Sequence, residues 1–259
     1  MLQVSPGYFD DALNSANRLL LDMMQASSWL DVPVKTVTLE RGQLLNDEGQ
    51  VPASVVFPEG ALLVDLAYMD DGRMVEVGAV GRNGAANLLC SLAVEAASHR
   101  TVVKIGGPAK VVKAASVRAA VQSDPALQKL IMSWLQRRAL EAEQAVACSL
   151  MHDATQRLAR ALLLTRDRTG SDQLPLTQDD FATTLGVQRT TLNASALQLK
   201  ADGAIRYSRG MLRVLDPERL AARACECHAR VDQRRSLATE AEARPGARAV
   251  NGLRVVSPT

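Results

Sequence analysis

The chain has 259 residues, 47% hydrophobic and 22% charged, with a formal net charge of +2. That length is ample for a sizeable core and favours two domains, and the mix excludes a disordered chain. No stretch reaches the ~18 uninterrupted apolar residues of a membrane span, so a membrane protein is excluded as well.

The N-terminal residues MLQVSPGYFDDALNSANRLL lack a basic segment ahead of an apolar run and a small-residue cleavage site, which predicts a cytoplasmic protein. Apolar residues at helical spacing, among them Leu13, Leu20 and Met24, predict a lead-in helix from about Leu13 to Leu30, broken at Pro33. Between Val34 and Val112 the texture changes to short β-branched runs: VKTVTLE, ASVVFP, ALLVDLAYM, RMVEVGAV, RTVVKIG and AKVVKA. Glycine turns at Arg41-Gly42, Glu48-Gly49, Pro58-Glu59-Gly60, Asp70-Asp71-Gly72 and Gly106-Gly107-Pro108 separate them. Such strands predict an antiparallel sandwich or barrel, with the clearest hairpin at Asp71-Gly72, whose residue types tolerate positive φ.

At Ser123-Asp124-Pro125 the pattern switches to helix, because Asp can cap free N–H groups and Pro costs nothing at the first helical position. The helix is long: without Gly or Pro before residue 150 it spans about 25 residues, or nearly 40 Å. A helix of that length exceeds what a small β domain covers, so part of its apolar face (Leu127, Leu130, Ile131, Trp134, Ala142, Ala145) is expected to meet a second copy. The other reading packs it within its own domain. A second amphipathic helix follows over Asp153–Arg168, with Leu158, Leu162 and Leu163 inward and arginines outward. Charge is unevenly divided along this order. Residues 1–151 carry 13 basic and 16 acidic side chains, residues 152–230 carry 12 and 9, and the remainder 5 and 3, so positive charge gathers toward the C-terminus.

The segment LTQDDFATTLGVQRTTLNASALQLKADGAIRYSRGMLRVLD is expected to form helix, turn, helix and hairpin. Thr177 is placed to cap a helix with Asp179 and Asp180 in its first turn, Phe181 and Leu185 inward and Ala182 at a close crossing. Gly186 ends it, and Val187 plugs the angle before a second helix from about Gln188 to Lys200. Leu192, Ala196 and Leu199 face inward there, while Gln188, Arg189, Thr190, Thr191 and Asn193 face outward. Arg can grip guanine through two bonds, Asn or Gln can do so to adenine, and Thr suits a phosphate or a thymine methyl. After Asp202-Gly203, the runs at Ile205–Tyr207 and Met211–Val214 predict a two-stranded wing with Arg209 at its tip. Thr177, Lys200, Tyr207 and Arg209 complete the candidate DNA contacts.

The order of β-roll, long helix and winged helix-turn-helix, with the strings LERGQLLNDEGQ, VFPEGALLVDLAYMDDGRMVEVGAVGRNGAANLL and the segment above, resembles the cyclic AMP receptor protein and fumarate-nitrate regulator (Crp/Fnr) family of bacterial transcription factors. The resemblance spans about residues 10–227. It implies an α+β chain: a cyclic-nucleotide-binding-like antiparallel β-roll (a jelly roll) over 1–122, a dimerisation helix over 123–150 and a winged helix-turn-helix DNA-binding domain over 151–228. Beyond Cys227 the chain is polar and rich in Ala, Arg and Glu, with Pro245-Gly246, which predicts a frayed helix end and a flexible tail over 229–259. The resemblance places Arg189 where the family contacts a guanine, Gln188 where a serine contacts phosphate, and Thr190 in place of an acidic base-contacting residue. Ala194 stands where the archetype has a second arginine, so a different target sequence is implied.

In family members that bind cyclic nucleotides, a helix N-terminus and an Arg-Ser pair hold the phosphate and a glutamate holds the ribose. The corresponding positions here are Gly84, Ala85, Ala86 and Asn87, with Arg100 and Thr101 as the pair; Ala86 stands at the glutamate. An anion can still be gripped, but a ribose lacks its partner, so a degenerate or altered pocket is expected, which takes a cyclic nucleotide, another ligand or none. No cysteine precedes Cys90, which removes the family's N-terminal iron–sulfur cluster. Scattered or nearly adjacent, the four cysteines predict no disulfide framework. In Cys225-Glu226-Cys227-His228 one intervening residue is an awkward bite for tetrahedral zinc and a fourth ligand would have to come from afar, so these thiols read as helix-terminal residues with no metal.

The expected function is therefore a homodimeric, sequence-specific DNA-binding transcription regulator, with DNA, a second copy and RNA polymerase as partners. The alternative is a sensing or protein-interaction module whose winged helix binds a protein. No nucleophile elbow, phosphate loop, zincin or paired-carboxylate pattern occurs, so an enzyme is not expected.

Overall fold

The computed structural model describes residues 15–29, 32–208, 210–230 and 233. Leu13 and Leu30, the expected ends of the lead-in helix, fall outside the described residues, as do Arg209 and nearly all of the expected tail. Helix α1 (Arg18–Met24) is capped by Asn17, whose side chain accepts from the Leu20 N–H, and a short 3-10 turn at Ser27–Trp29 follows it.

The strands expected from the β-branched runs all form: β1 (Val34–Leu39), β3 (Ser54–Pro58), β4 (Leu62–Tyr68), β5 (Met74–Val80), β6 (Arg100–Ile105) and β7 (Gly107–Lys113). A further short strand, β2 (Leu44–Asn46), escaped the sequence pattern because three residues are too few for an alternation to show. Pairing is antiparallel in two sheets, β1-β7-β3 and β2-β6-β4-β5. Between them lies a layer of Leu39, Val56, Ala61, Leu63, Val80, Val103 and Ala109. The outer faces are buried too. Val55, Phe57 and Val112 of the first sheet pack on Leu20, Met23 and Trp29, on helices α2 (Leu88–Ala93) and α3 (Ala114–Ser123), and on the start of the long helix. Burial on both faces explains why SVVFP and LLV are continuous apolar runs where a one-sided strand would alternate.

The long helix is α4 (Pro125–Met151), 27 residues, its start fixed by Asp124 accepting from the N–H groups of Ala126 and Leu127 and by Pro125 at the first position. Asp153 then opens α5 (Ala154–Thr169) with a reciprocal capping box to Gln156. A three-stranded wing sheet, β8-β10-β9, joins β8 (Gln173–Leu174), β9 (Ile205–Ser208) and β10 (Met211–Val214). Between β8 and β9 in the chain come α6 (Gln178–Leu185) and α7 (Arg189–Ala201), and α8 (Pro217–Arg223) closes the order.

The C-terminal half is docked on the roll. Leu62, Val64, Leu66, Ala79 and Ile105 from the outer face of the second sheet share one core with Leu158, Leu162, Phe181, Leu185, Leu192 and Leu212. Polar ties surround that core: Lys104 pairs with Glu76 at 2.6 Å and donates to the Asp180 carbonyl at 3.1 Å, and Arg41 pairs with Asp180 at 2.7 Å. No helix among the described residues is long and apolar enough to cross a membrane.

Candidate nucleic-acid interface

Helix α6 begins where Thr177 accepts from the Asp180 N–H, while the Asp180 carboxylate accepts from the Thr177 N–H at 2.6 Å and from its hydroxyl at 2.7 Å. That carboxylate also holds Arg41. Burial works against its charge, but the Thr177 donors and Arg41 outweigh it and keep the carboxyl below its ordinary range. The Thr177 hydroxyl, expected to reach DNA, is thus engaged in the cap. Phe181 and Leu185 are buried, and Gly186 ends the helix in the left-handed region at φ 61°. That conformation costs a β-carbon-bearing residue, which is why glycine stands here, and the chain reverses through Val187 into α7.

On α7, Leu192, Ser195 and Leu199 are buried. Gln188, Arg189, Thr190, Thr191 and Asn193, the expected outward set, are all exposed, and so is Lys200. Gln188 is the N-cap residue and provides no side-chain cap, which leaves the first-turn N–H groups and the positive dipole end directed outward. Two light ties steady the outward set: Arg189 to Asp179 at 3.3 Å, both well exposed, and the Gln178 amide donating to the Asn193 carbonyl oxygen at 3.1 Å. An exposed pair of this kind is weak and easily exchanged for a base edge.

Tyr207 is half-buried and packs on the domain core opposite Leu212, so its ring supports the wing. Two wing residues were missed in the sequence: Arg206 and Arg213 face each other across β9 and β10, both exposed. Like charges directly opposite destabilise a strand pair unless an anion lies between or over them. The alternation Ile-Arg-Tyr-Ser against Met-Leu-Arg-Val carried that signal, because equal offsets from a tight turn put both arginines on one face.

The expected effector residues are not gathered into one free grip. Arg100 forms a two-bond pair with Asp47, at 2.9 and 2.7 Å, and its guanidinium lies over the Tyr68 ring. The hydrogen bonds from Arg100 hold the Asp47 carboxyl below its ordinary range. Thr101 is buried and donates to Asp65 at 2.8 Å. The N–H groups of Gly84 and Ala86 donate to the carbonyls of Gly81 and Val56. Ala85 is buried, Asn87 sits at the N-cap of α2 with φ 65°, and the loop is packed under Trp134: a Cβ on Gly84 would meet its Nε1 at 3.0 Å.

On α4, Leu127 and Ile131 are buried against the roll of their own chain, with Leu130 and Trp134 partly buried beside them. Ala142 and Ala145 are exposed. The large apolar side chains left uncovered on this helix are Met132, Val146, Leu150 and Met151, between 62% and 78% exposed.

One expectation is overturned. The sequence predicted no metal site and no cofactor beyond a doubtful cyclic nucleotide, but Cys148, His152, Cys225 and Cys227 come together with donor atoms all within 4.8 Å of one another, a set able to hold a metal ion. The spacing within Cys225-Glu226-Cys227 hid it, because the other two ligands lie at the end of α4, over seventy residues earlier. Their own signal was Cys148-x-x-x-His152, one helical turn apart on one face.

A β-roll, a long helix and a winged helix-turn-helix with an exposed polar recognition surface define a DNA-binding transcription regulator. Residues 156–223 match the Crp-like helix-turn-helix domain. Residues 156–223 thus carry a Crp-like helix-turn-helix domain, within a chain whose fold is like that of Crp/Fnr transcription regulators. Among solved structures, FixK2 from Bradyrhizobium japonicum is similar at 15% identity and a TM-score of 0.62, over 74% of this chain and 98% of that one. A Crp-family regulator from Thermus thermophilus follows at 17% identity and TM-score 0.60, over 74% and 99%. A second Thermus thermophilus regulator of the Crp/Fnr family is 20% identical with TM-score 0.57, over 73% and 98%. At these identities the likeness is one of fold. No curated protein matches the chain.

Proposed function

We propose that this regulator works in the cytoplasm as a homodimer, that each α7 enters a major groove of a partly two-fold DNA site, and that the roll carries an altered effector pocket. The observation that carries the reading is the recognition surface: an exposed set of Gln188, Arg189, Thr190, Thr191 and Asn193 at an uncapped helix start, with Lys200, Arg206 and Arg213 beside it. Half-sites would lie about 34 Å apart, one turn of the duplex. A second copy is supported by the uncovered Met132, Val146 and Leu150 on a helix already satisfied on its other side. A DNA-bound dimer presents its remaining surface to RNA polymerase. The altered pocket is supported by Arg100, whose fork is filled by Asp47.

The test is capture of sheared genomic DNA by the purified protein near physiological salt, with sequencing of the retained fraction. An enriched two-fold motif is expected, with binding that falls steeply as salt rises because several phosphates are contacted. Weak capture with no motif and little salt dependence would assign the winged helix to a protein partner. For the pocket, a fluorescent cyclic nucleotide should show no saturable binding; micromolar binding would overturn that part.

A further inference from the structure

We propose that Cys148, His152, Cys225 and Cys227 form a closed, four-coordinate zinc site that clamps the end of the long helix to the segment following the DNA-binding domain. Two ligand pairs build it. His152 is the C-cap of α4 and its N–H donates to the Cys148 carbonyl at 3.2 Å, so one helical turn sets both side chains on one face. After α8 the chain turns tightly, with the His228 N–H donating to the Cys225 carbonyl and the Ala229 N–H to that of Glu226, and this turn brings the thiols of Cys225 and Cys227 to the same side. The two-residue bite that looked awkward for four ligands is adequate for two.

The distances fit one small cation. A tetrahedral zinc with metal–sulfur bonds of about 2.3 Å and metal–nitrogen bonds of about 2.0–2.1 Å needs sulfur–sulfur edges of about 3.8 Å and sulfur–nitrogen edges of about 3.5 Å. Cys148 Sγ and Cys225 Sγ are 3.5 Å apart, and Cys227 Sγ and His152 Nδ1 are 3.6 Å apart. A cluster of two or four irons spreads its cysteines over separate metal atoms and needs a wider cage. Three soft sulfur donors and an imidazole also select zinc over the oxygen-seeking cations.

The surroundings are those of a metal centre. All three thiols are buried and form a core cluster of their own with no aliphatic member. Outside the ligands, Glu226 lies 3.2 Å from His152 Nε2, where its carboxylate accepts that N–H and leaves the Nδ1 lone pair for a metal. Gln144, one turn earlier on α4, donates to Cys227 Sγ at 3.0 Å. A ligand cysteine whose sulfur receives a hydrogen bond and a ligand histidine oriented by a carboxylate complete the outer layer. With four protein ligands no open position remains for substrate, so the metal's role is structural.

The experiment measures metal content and coordination of the full chain purified under reducing conditions. About one zinc per chain is expected by elemental analysis. Anaerobic exchange for cobalt(II) should give the intense visible bands of tetrahedral thiolate coordination, a readout on the unaltered protein that does not depend on any variant folding. Cys227→Ser should lose the metal, Cys90→Ser should keep it, and Glu226→Gln should weaken zinc binding about 10- to 100-fold while the cobalt bands stay tetrahedral. Sub-stoichiometric zinc with no cobalt spectrum would overturn the proposal. So would iron with inorganic sulfide, or a Cys148–Cys225 disulfide in protein kept reduced throughout.

Discussion

Arg189 stands at the first position of α7, exposed and tied only to an exposed Asp179. Its exchange for alanine should cost about 1–3 kcal/mol at the cognate site and relax base preference at one position, measured by titration of site variants; equal loss on every sequence would make it a phosphate contact. Asp180 is the opposite case, a carboxylate engaged inside the structure by Thr177 and Arg41. Its folded pKa is lowered, so its contribution is present above the ordinary unfolded value of about 3.9 and is lost as pH falls through the folded value. Asp180→Asn should therefore destabilise the protein at neutral pH and flatten the acid side of the stability profile, read as melting temperature against pH. At this scale the sequence was informative where one residue type has one use. Gly186 after an apolar helix and Asp124 before Pro125 announced their roles. Thr177 announced its cap as well, but a hydroxyl at a helix start can also serve a phosphate, and only the Asp180 geometry shows how fully the cap engages it.

Among the elements, the wing is the clearest case of local cost. Arg206 and Arg213 repel across β9 and β10 in directly opposed positions of the ladder. Replacing both with glutamine should reduce the salt slope of DNA binding by about two, since each phosphate contact contributes about one, and leave base preference intact. A slope that stays unchanged would remove the wing from the interface. Elements whose faces differ in burial were legible from periodicity, as α5 with its inward leucines, and doubly buried strands were legible as apolar runs, as β4 with LLV. The elements that were not, β2, β8 and α3, are short or small-residued, and their existence depends on partners distant in sequence. The metal-ligand set failed for the same reason. Each half is ordinary alone, and the fold makes the constellation.

For the whole molecule, the long helix has one side buried on the roll and another left exposed. Leu127 and Ile131 are buried on the roll beneath them, and Val146 and Leu150 are exposed. The sequence predicted that the helix outruns its own domain but could not assign its residues to either side, because α1, α2 and the first sheet claim the N-terminal half from far away. Val146→Glu should shift the solution mass from dimer to monomer, through a charge buried without a partner, and weaken DNA binding with it. An unchanged mass would place the contact elsewhere.

Roll and DNA-binding domain are lined by the same apolar core, so they are thermodynamically one unit. Val64, Leu66 and Ile105 of the roll are covered by Phe181, Leu185 and their neighbours, and neither half keeps its lining dry when the other melts. Heating should therefore give one cooperative transition by calorimetry, with equal calorimetric and van't Hoff enthalpies, in place of two separate domain peaks. A fragment cut near residue 151 would expose the lining of that core and be prone to self-association. Freeing the DNA-binding half from the roll, by whatever signal, has to offset the exposure of that lining. The resting arrangement is thus held by solvent exclusion, and a dimer or a DNA site that repositions the winged domain must replace those contacts with its own.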